Sequence, residues 1–453
     1  MIASSVIAGG VFDRSYQMLT LGLILGVTLV AFEALAVVTI APRFTESLGG
    51  ISLYGWVFSA YLLASLLGIV VAGRLADLRG PGLAFLLGLI TFGLGLTAGG
   101  LAPNMEALIL SRVLQGFGGG ALSTTMYVVV NLAYPDELRP RMMALMSSAW
   151  VVPALIGPAG AGLIAEAASW RWVFLGAMPL LIVTLILTVP IFKQLRSRHK
   201  HSGESARLLD AVGLVLGAGL LLGSFEIPDP TLALAAVVLS GVWTLRALSR
   251  LTPRGTLGFA HGLPSVVATR GLFYGAFVGV EAFLALMLTS VHGYSLAVAG
   301  LAIASGALSW TAGSWLQERW DARSSGAGRA SRVVLGTAIL SVGLAIQVAA
   351  LYTTVVPVAI TVGGWLLAGL GIGLAHSTSS VLAFSFAPKG QEGAVASSLQ
   401  LAEQFTSAVS TGASGALFSA ALELGLHKRE GILLALGLSL ILVALGVVAA
   451  RRI

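Results

Sequence analysis

The segment GRLADLRG, residues 73–80, lies between two apolar runs at residues 53–73 and 82–102. Each run has the length of about 20 residues that crosses the hydrocarbon core of a bilayer as one α-helix. The joining segment is short and charged, and its two glycines allow the chain to turn tightly. This stretch therefore predicts a helical hairpin embedded in a membrane, with a charged turn at one surface.

The rest of the chain repeats this pattern, with fourteen apolar runs in 453 residues. Only 10% of the residues are charged, whereas a soluble domain has about 25%. The runs are continuous and lack an alternating period, which disfavours a β-barrel. We predict an all-α integral membrane protein. The runs cover residues 17–42, 53–73, 82–102, 106–133, 141–165, 171–192, 208–226, 231–249, 266–290, 295–316, 332–352, 356–386, 393–422 and 431–450.

The distribution of basic residues predicts the topology. If the N-terminus is cytoplasmic, 21 of the 26 lysines and arginines fall in cytoplasmic segments and 4 in outside loops. Cytoplasmic loops of membrane proteins carry such an excess, so we expect both termini in the cytoplasm of a bacterial cell, with the chain in its cytoplasmic (inner) membrane. This count places Arg270 in a cytoplasmic segment. The net charge of +7 is then explained by topology, and no nucleic-acid partner is expected.

The order of the runs predicts three parts of the chain: an N-terminal six-helix bundle at residues 1–192, a cytoplasmic linker with an inserted helix pair at 193–252, and a C-terminal six-helix bundle at 253–453. A weak internal repeat agrees with this division. FEAL around Glu33 is similar to VEAF around Glu281, and the segment after Gly73 is similar to the segment after Gly313. Repeats in corresponding halves are typical of secondary transporters, whose binding site lies between the halves.

Two segments resemble motifs of the major facilitator superfamily. Residues 73–80 resemble its G-x-L-a-D-r-x-G loop, and residues 110–120 resemble its R-x-x-q-G-x-g helix segment. An aspartate near a helix terminus can pair with cations and with a neighbouring helix dipole. The chain departs from the family at Pro81, where a second basic residue is usual, which weakens the charge interaction. The resemblance assigns a conformational latch to Gly73, Asp77, Arg79 and Gly80.

Two further segments resemble one branch of that superfamily. Residues 153–162 resemble the G-P-x-x-G motif of its antiporters, with Gly157, Pro158 and Gly160 at the motif positions. Residues 32–42 are similar to the first-helix signature of the drug:proton antiporters with fourteen helices, and Glu33 stands where that family has aspartate. The resemblance implies two six-helix bundles with two extra helices between them, and alternating access by rocking of the halves.

Four charged residues lie deep in the apolar runs: Glu33, Arg112, Glu281 and Glu403. A charge at the bilayer centre costs about 2.5–3.5 kcal/mol on insertion scales, so such residues are functional by default. Glu33 is the first choice for proton coupling, with Arg112 as its expected partner. Arg112 alternatively ties its helix to backbone carbonyls, and Glu403 alternatively forms an interhelical hydrogen bond in its protonated form.

Other residues give weaker indications of a substrate cavity. Aromatic side chains could line a site for flat or apolar ligands, although isolated aromatics more often serve packing. His376 is interpreted as a packing residue and Asp321 as a solvated loop charge. The histidines form no metal-binding pattern, so no metal or other cofactor is expected beyond a coupling proton, with sodium as an open alternative. The predicted cavity residues are Tyr61, Trp150, Phe277, Trp310 and Gln400.

Together these patterns predict a monomeric secondary transporter that exports small hydrophobic or amphipathic, drug-like compounds by proton antiport. A lipid exporter of the same fold, for triacylglycerol-like lipids, is an alternative, because residues 289–294 near Glu281 resemble that branch. A channel or a non-transporting membrane sensor is an alternative of another class. No nucleophile–base or metal constellation indicates an enzyme, and no Walker lysine motif indicates an ATP-driven pump.

Overall fold

The computed structural model describes residues 10–135, 137–192, 205–227, 229–324, 326–387 and 392–453. These residues form helices joined by short turns, and no strand occurs among them. The helices are α1 Gln17–Leu48, α2 Tyr54–Arg79, α3 Pro81–Gly100, α4 Met105–Ala133, α5 Arg139–Ser148, α6 Val151–Ala167, α7 Arg171–Leu175, α8 Met178–Phe192, α9 Ser205–Gly223, α10 Pro230–Leu251, α11 Leu263–Leu286, α12 Leu296–Ser324, α13 Arg329–Tyr352, α14 Pro357–Ser385, α15 Glu392–Glu423 and α16 Lys428–Ala450.

The predicted all-α membrane fold is confirmed. Within the described residues, 13 helical segments are long and apolar enough to cross a membrane. Two of these segments consist of two helices each, α5 with α6 and α7 with α8, and α15 supplies a further helix of 32 residues. Each of the fourteen apolar runs therefore corresponds to one of these helical segments.

Helices α1–α8 and α11–α16 pack in the same pattern. In the first set α2 and α3 pack on α4, while α1 packs on α6 and α8. In the second set α12 and α13 pack on α14, while α11 packs on α15 and α16. The corresponding pairs α2–α4 and α12–α14 also share a close backbone approach. Gly68 lies against the backbone of Phe117, and Gly313 lies against that of Leu370. Glycine allows this approach because it has no side chain.

The packing shows a different alignment of the internal repeat from the one that the sequence suggested. Gly313 occupies the position of Gly68 rather than that of Gly73, so the sequence alignment of the two segments is shifted by five residues. The segment after Gly313 is thus not the counterpart of the GRLADLRG turn.

The two sets of helices meet mainly at two crossings, α6 with α12 and α2 with α15, and α1 makes a smaller contact with α11. At the first crossing Gly162 lies against the backbone of Leu296, and Gly300 against that of Pro158. At the second, Gly55 lies against the backbone of Gly415. Both crossings lie at the end of the bundle that carries the turns at residues 49–53 and 292–295, which we name the closed end.

The antiporter-like motif lies only partly at these contacts. Pro158 is part of the α6–α12 crossing, and Gly157 lies 3.5 Å from the ring of Phe32 on α1, measured from an added Cβ. A Cβ added at Gly160 would meet no atom within 4 Å. Gly162, beyond the predicted motif positions, is the glycine on which the close approach to α12 depends.

Candidate functional site

The first charged cluster lies inside the α1–α8 set. Arg112 on α4 forms an ion pair with Glu33 on α1 through Nη1 and Oε1. The same guanidinium donates to the carbonyl of Val57 at 3.1 Å and to Oε1 of Gln115 at 2.5 Å. It also lies over the ring of Tyr61, 4.3 Å from the centroid. The structure therefore places Arg112 both as the partner of Glu33 and as a tie to backbone.

This ion pair is removed from solvent. The exposed fractions of the Arg112 and Glu33 side chains are 3% and 2%. Oε2 of Glu33 is buried without a hydrogen-bond partner among the described residues, so its charge is balanced by Arg112 alone. A buried ion pair is stable only when its geometry and additional hydrogen bonds offset the cost of desolvation. Tyr61, predicted to line a cavity, is buried beneath this pair.

The second charged cluster joins α11, α14 and α15. Arg270 is buried and forms an ion pair with Glu403 through Nε and Oε1. Its Nη1 donates to Ser380 Oγ at 2.5 Å. Nε2 of His376 lies 2.6 Å from Nη2 of Arg270 and 3.0 Å from Oε1 of Glu403. Among the described helices, each set thus holds one arginine–carboxylate pair with both side chains at most 13% exposed: Glu33–Arg112 in the first set and Arg270–Glu403 in the second.

Sequence reasoning missed two members of this second cluster. Arg270 was assigned to a cytoplasmic segment, but the structure places it in α11 with Glu403 as its partner. His376 was interpreted as a packing residue, but it contacts both charges. The signal for Arg270 was present, because it lies within the apolar run at residues 266–290. The topology count nevertheless assigned Arg270 to a cytoplasmic segment, together with the basic residues of the neighbouring loop.

Two aromatic rings lie close to His376. The ring of Trp310 is 5.3 Å from that of His376, and the ring of Tyr274 is 6.0 Å away. Phe277 packs on Trp310 at 5.6 Å and stacks on Trp365 at 4.3 Å. Trp310 and Tyr274 are half-buried, whereas Phe277 is buried behind them. Of the two predicted cavity aromatics in this cluster, Trp310 rather than Phe277 has the accessibility that ligand contact requires.

Glu281 differs from both paired carboxylates. It is half-buried on α11 and forms no hydrogen bond or ion pair with any residue that the structure describes. It shares a helix face with Tyr274 and Val278, which are also half-buried. The next residue, Ala282, accepts a hydrogen bond from Tyr54 of α2, so Glu281 lies close to the boundary between the two sets of helices.

The remaining predicted site residues lie apart from these clusters. Trp150 is exposed between α5 and α6, and Gln400 is half-buried on α15, one turn from Glu403. Asp77 and Arg79 are exposed at the end of α2, and Gly80 follows with a φ of 87° that favours glycine. The latch role of this turn stays a prediction.

Asp321 was interpreted as a solvated loop charge, and this interpretation is wrong. It lies in the last turn of α12 and forms ion pairs with Arg329 at 2.5 Å and with Arg332 at 2.7 Å. These pairs join the end of α12 to the beginning of α13.

Residues 21–411 match the family model of the Major Facilitator Superfamily. The chain belongs to this superfamily. Its two similarly packed sets of helices are the two halves of a major facilitator transporter, with α9 and α10 inserted between them. The chain is therefore a multi-pass membrane transporter with a small-molecule substrate rather than an enzyme.

Similar proteins of this superfamily include multidrug transporters. A probable multidrug-efflux transporter of Mycobacterium tuberculosis is 28% identical over 447 residues, which cover 94% of this chain and 92% of that protein. Multidrug resistance protein 3 of Bacillus subtilis is 26% identical over 300 residues, 64% of this chain and 58% of that protein. A multidrug efflux pump of Staphylococcus aureus is 32% identical over 172 residues, 38% of each chain.

Solved transporter structures share the fold. A bacterial homologue of the human lysosomal transporter Spinster, in an inward-facing and unoccupied conformation, superposes with a TM-score of 0.68 at 16% identity, covering 97% of this chain and 98% of that one. A POT family transporter in complex with 5-aminolevulinic acid gives a TM-score of 0.68 at 14% identity, covering 96% of each chain. At this identity the likeness shows the fold alone.

Proposed function

We propose that this transporter exports hydrophobic or amphipathic compounds in exchange for protons. The observation that carries the proposal is Glu281, a half-buried carboxylate without a partner among the described residues, at the boundary between the halves. Glu33 and Glu403 are each held by an arginine. A carboxylate without a fixed cation can bind either a proton or a cationic group of a substrate, which is the exchange that antiport requires.

The other two carboxylates support this exchange from the two halves. A proton on Glu33 would remove the charge that holds Arg112, and a proton on Glu403 would do the same for Arg270. Either event would leave a buried guanidinium without its carboxylate, which is costly unless the helices rearrange. Protonation of Glu33 would thereby be linked to the relative position of α1 and α4. Protonation of Glu403 would be linked in the same way to that of α11 and α15.

Alternating access would proceed by opening of the two crossings at the closed end. With both termini in the cytoplasm of a bacterial cell and the chain in its cytoplasmic membrane, the closed end faces outward and the structure is inward-facing. Opening that end separates α6 from α12 and α2 from α15 by rocking of the halves. The relatives that are named multidrug-efflux transporters support export as the direction.

The test uses purified protein in liposomes that contain a pH-sensitive dye. A pH gradient is imposed, and a panel of lipophilic cations and neutral amphipaths is added. Substrate-driven proton flux that is lost in Glu281→Gln supports the proposal. Glu106→Gln, an exposed carboxylate in the first turn of α4, is the matched control and should retain the flux.

The same experiment separates the three carboxylates. If flux persists in Glu281→Gln and is lost in Glu33→Gln or Glu403→Gln, coupling belongs to that residue and the assignment to Glu281 is wrong. Dependence on sodium without proton movement would overturn proton coupling itself.

Export of a lipid is a second candidate for the same fold. It is favoured by the exposed apolar side chains of Leu155 on α6 and of Leu308 on α12, which lie on the two helices of one crossing. Replacing the panel with a fluorescent triacylglycerol analogue tests this candidate in the same liposomes.

A further inference from the structure

The two crossings between the halves are equivalent by internal symmetry. At one, a Cβ added at Gly300 would meet the backbone of Pro158, and at the other a Cβ added at Gly55 would meet the backbone of Gly415 and the carbonyl of Thr411. Gly55 thus corresponds to Gly300, and Gly415 corresponds to Gly162. Two seams run from these crossings toward the opposite end, and without the inserted helices their equivalent positions would both face the bilayer.

The two seams differ in exposure at equivalent positions. Leu308, eight residues after Gly300, has an exposed fraction of 52%, whereas Leu63, eight residues after Gly55, has one of 5%. On the partner helices, Leu155 lies seven residues before Gly162 and is 38% exposed. Ala408 lies seven residues before Gly415 and is 0% exposed.

The inserted helix α9 accounts for this difference. Its residues Ala218 and Leu222 form one apolar cluster with Leu63 of α2 and Ala408 of α15. Leu222 also occupies the space that a side chain at Gly412 would need. A second cluster continues toward the other end of the seam, with Leu66 of α2 and Leu401 of α15 packed against α9 and α10. Helix α9 therefore lies along the whole α2–α15 seam and touches both halves.

The inserted pair makes apolar contacts with both halves and, among the described residues, a hydrogen bond with the first half. Trp56 of α2 donates a 2.5 Å hydrogen bond from Nε1 to Glu226, which follows α9. The described contacts with α15 are apolar, at Leu222 and Ala408. Apolar contact is non-directional and tolerates sliding, whereas a hydrogen bond fixes position. The inserted pair can thus move with the first half while it remains in contact with α15.

We infer that the inserted helix pair seals the α2–α15 seam against the bilayer, so that a membrane-dissolved ligand reaches the space between the halves along the α6–α12 seam alone. The ligand is an amphipath with an acyl or similar apolar chain, because the side chains exposed on this seam are apolar. They are Val151 and Leu155 on α6, with Leu308 and Trp315 on α12. The identity of the ligand rests on the proposed function, whereas the seal does not.

The test uses the full chain in liposomes that contain a phosphatidylcholine with a diazirine in the middle of one acyl chain. After irradiation, adducts are mapped by mass spectrometry. Adducts at Leu308 should exceed those at Leu63 by about tenfold, the ratio of their exposed fractions. Equal labelling of the two seams would overturn the inference.

Two variants test whether α9 is the element that shields the α2–α15 seam from lipid. Leu222→Ala should increase labelling of Leu63 and Ala408, because it removes the side chain that covers the seam. Leu239→Ala, at an exposed position of α10, is the matched control and should leave the pattern unchanged. No increase in Leu222→Ala, with the protein folded by size-exclusion chromatography, would show that α9 is not the seal.

A transport measurement tests the entry route. Leu155→Trp narrows the α6–α12 seam and should slow export of a membrane-partitioned dye several-fold, while Leu239→Trp on α10 should not. Export at the wild-type rate in Leu155→Trp would contradict entry along this seam. If the wild-type chain is labelled as expected but moves no compound, the seal stands and the proposed function fails.

Discussion

The hydroxyl of Tyr54 donates a 2.7 Å hydrogen bond to the carbonyl of Ala282, across the boundary between the two halves. Tyr54 is buried and also packs on Phe283 and Phe418 of the second half, with ring centroids 5.2 and 6.4 Å away. It follows Leu53 at the first turn of α2, beside the α2–α15 crossing. One side chain of the first half thus holds the closed end shut against α11 and α15, next to the unpaired Glu281.

We predict that Tyr54→Phe shifts the conformational equilibrium away from the closed end without unfolding the protein. The ring packing is kept, and only one hydrogen bond of about 0.5–1.5 kcal/mol is lost. The shift is therefore up to about tenfold. Because the chain has no cysteine, Leu286→Cys, which lines the depression at the closed end, can report opening by its reaction with a membrane-impermeant maleimide. An unchanged labelling rate would show that this bond does not contribute to closure.

A second prediction concerns Glu166 at the other crossing. Its Oε1 accepts a hydrogen bond from the backbone N–H of Leu296 at 2.5 Å, so a side chain of α6 caps the N-terminus of α12 in the opposite half. A carboxylate at a helix N-terminus is stabilised by the helix dipole as well as by the bond, together about 1 kcal/mol. Glu166→Ala should open the closed end by about fivefold, and Glu166→Gln by less. The Leu286→Cys labelling measures both.

The two crossings should act independently. Tyr54 and Glu166 lie at different crossings and share no partner, so the free-energy effects of Tyr54→Phe and Glu166→Ala should add. A double variant that opens no further than either single variant would indicate that the two crossings open as one coupled unit.

Much of the fold could be predicted because lipid imposes a simple rule on each helix. Apolar length placed fourteen spans, and the structure has a helical segment at each. Which side of each helix faces which neighbouring helix could not be predicted. Helix α2 is apolar around its whole circumference, so periodicity does not say that Tyr61 and Leu63 are buried by different neighbours.

The same limit explains the errors at the charged residues. Glu33 and Arg112 were paired correctly because few buried charges were available. Arg270 was assigned by loop counting, which assumes that an arginine near the end of a run lies in water. Its burial depends on Glu403, Ser380 and His376, which are more than 100 residues away in the chain. Such long-range contacts leave no local signal.

A fourth prediction tests the pair of Glu33 and Arg112 as a unit. Arg112→Gln leaves a buried carboxylate without its cation, which should lower the free energy of unfolding by about 3–5 kcal/mol. Glu33→Gln combined with Arg112→Gln removes both charges and should restore most of that loss. Thermal unfolding in detergent–lipid micelles measures the three variants. A double variant as unstable as Arg112→Gln would mean that packing, rather than charge, sets the cost.

The last prediction uses glycines as matched probes of helix contact. A Cβ added at Gly313 would overlap the carbonyl oxygen of Leu370, and neither backbone can move without separating α12 from α14. Gly313→Ala should therefore abolish folded protein, and Gly68→Ala should do the same for α2 and α4. Gly160→Ala, where the added atom meets nothing within 4 Å, should express and unfold like the wild type. Expression and size-exclusion profiles decide between these outcomes. A folded Gly313→Ala would show that α12 and α14 tolerate separation, whereas an unfolded Gly160→Ala would contradict the open space around this glycine.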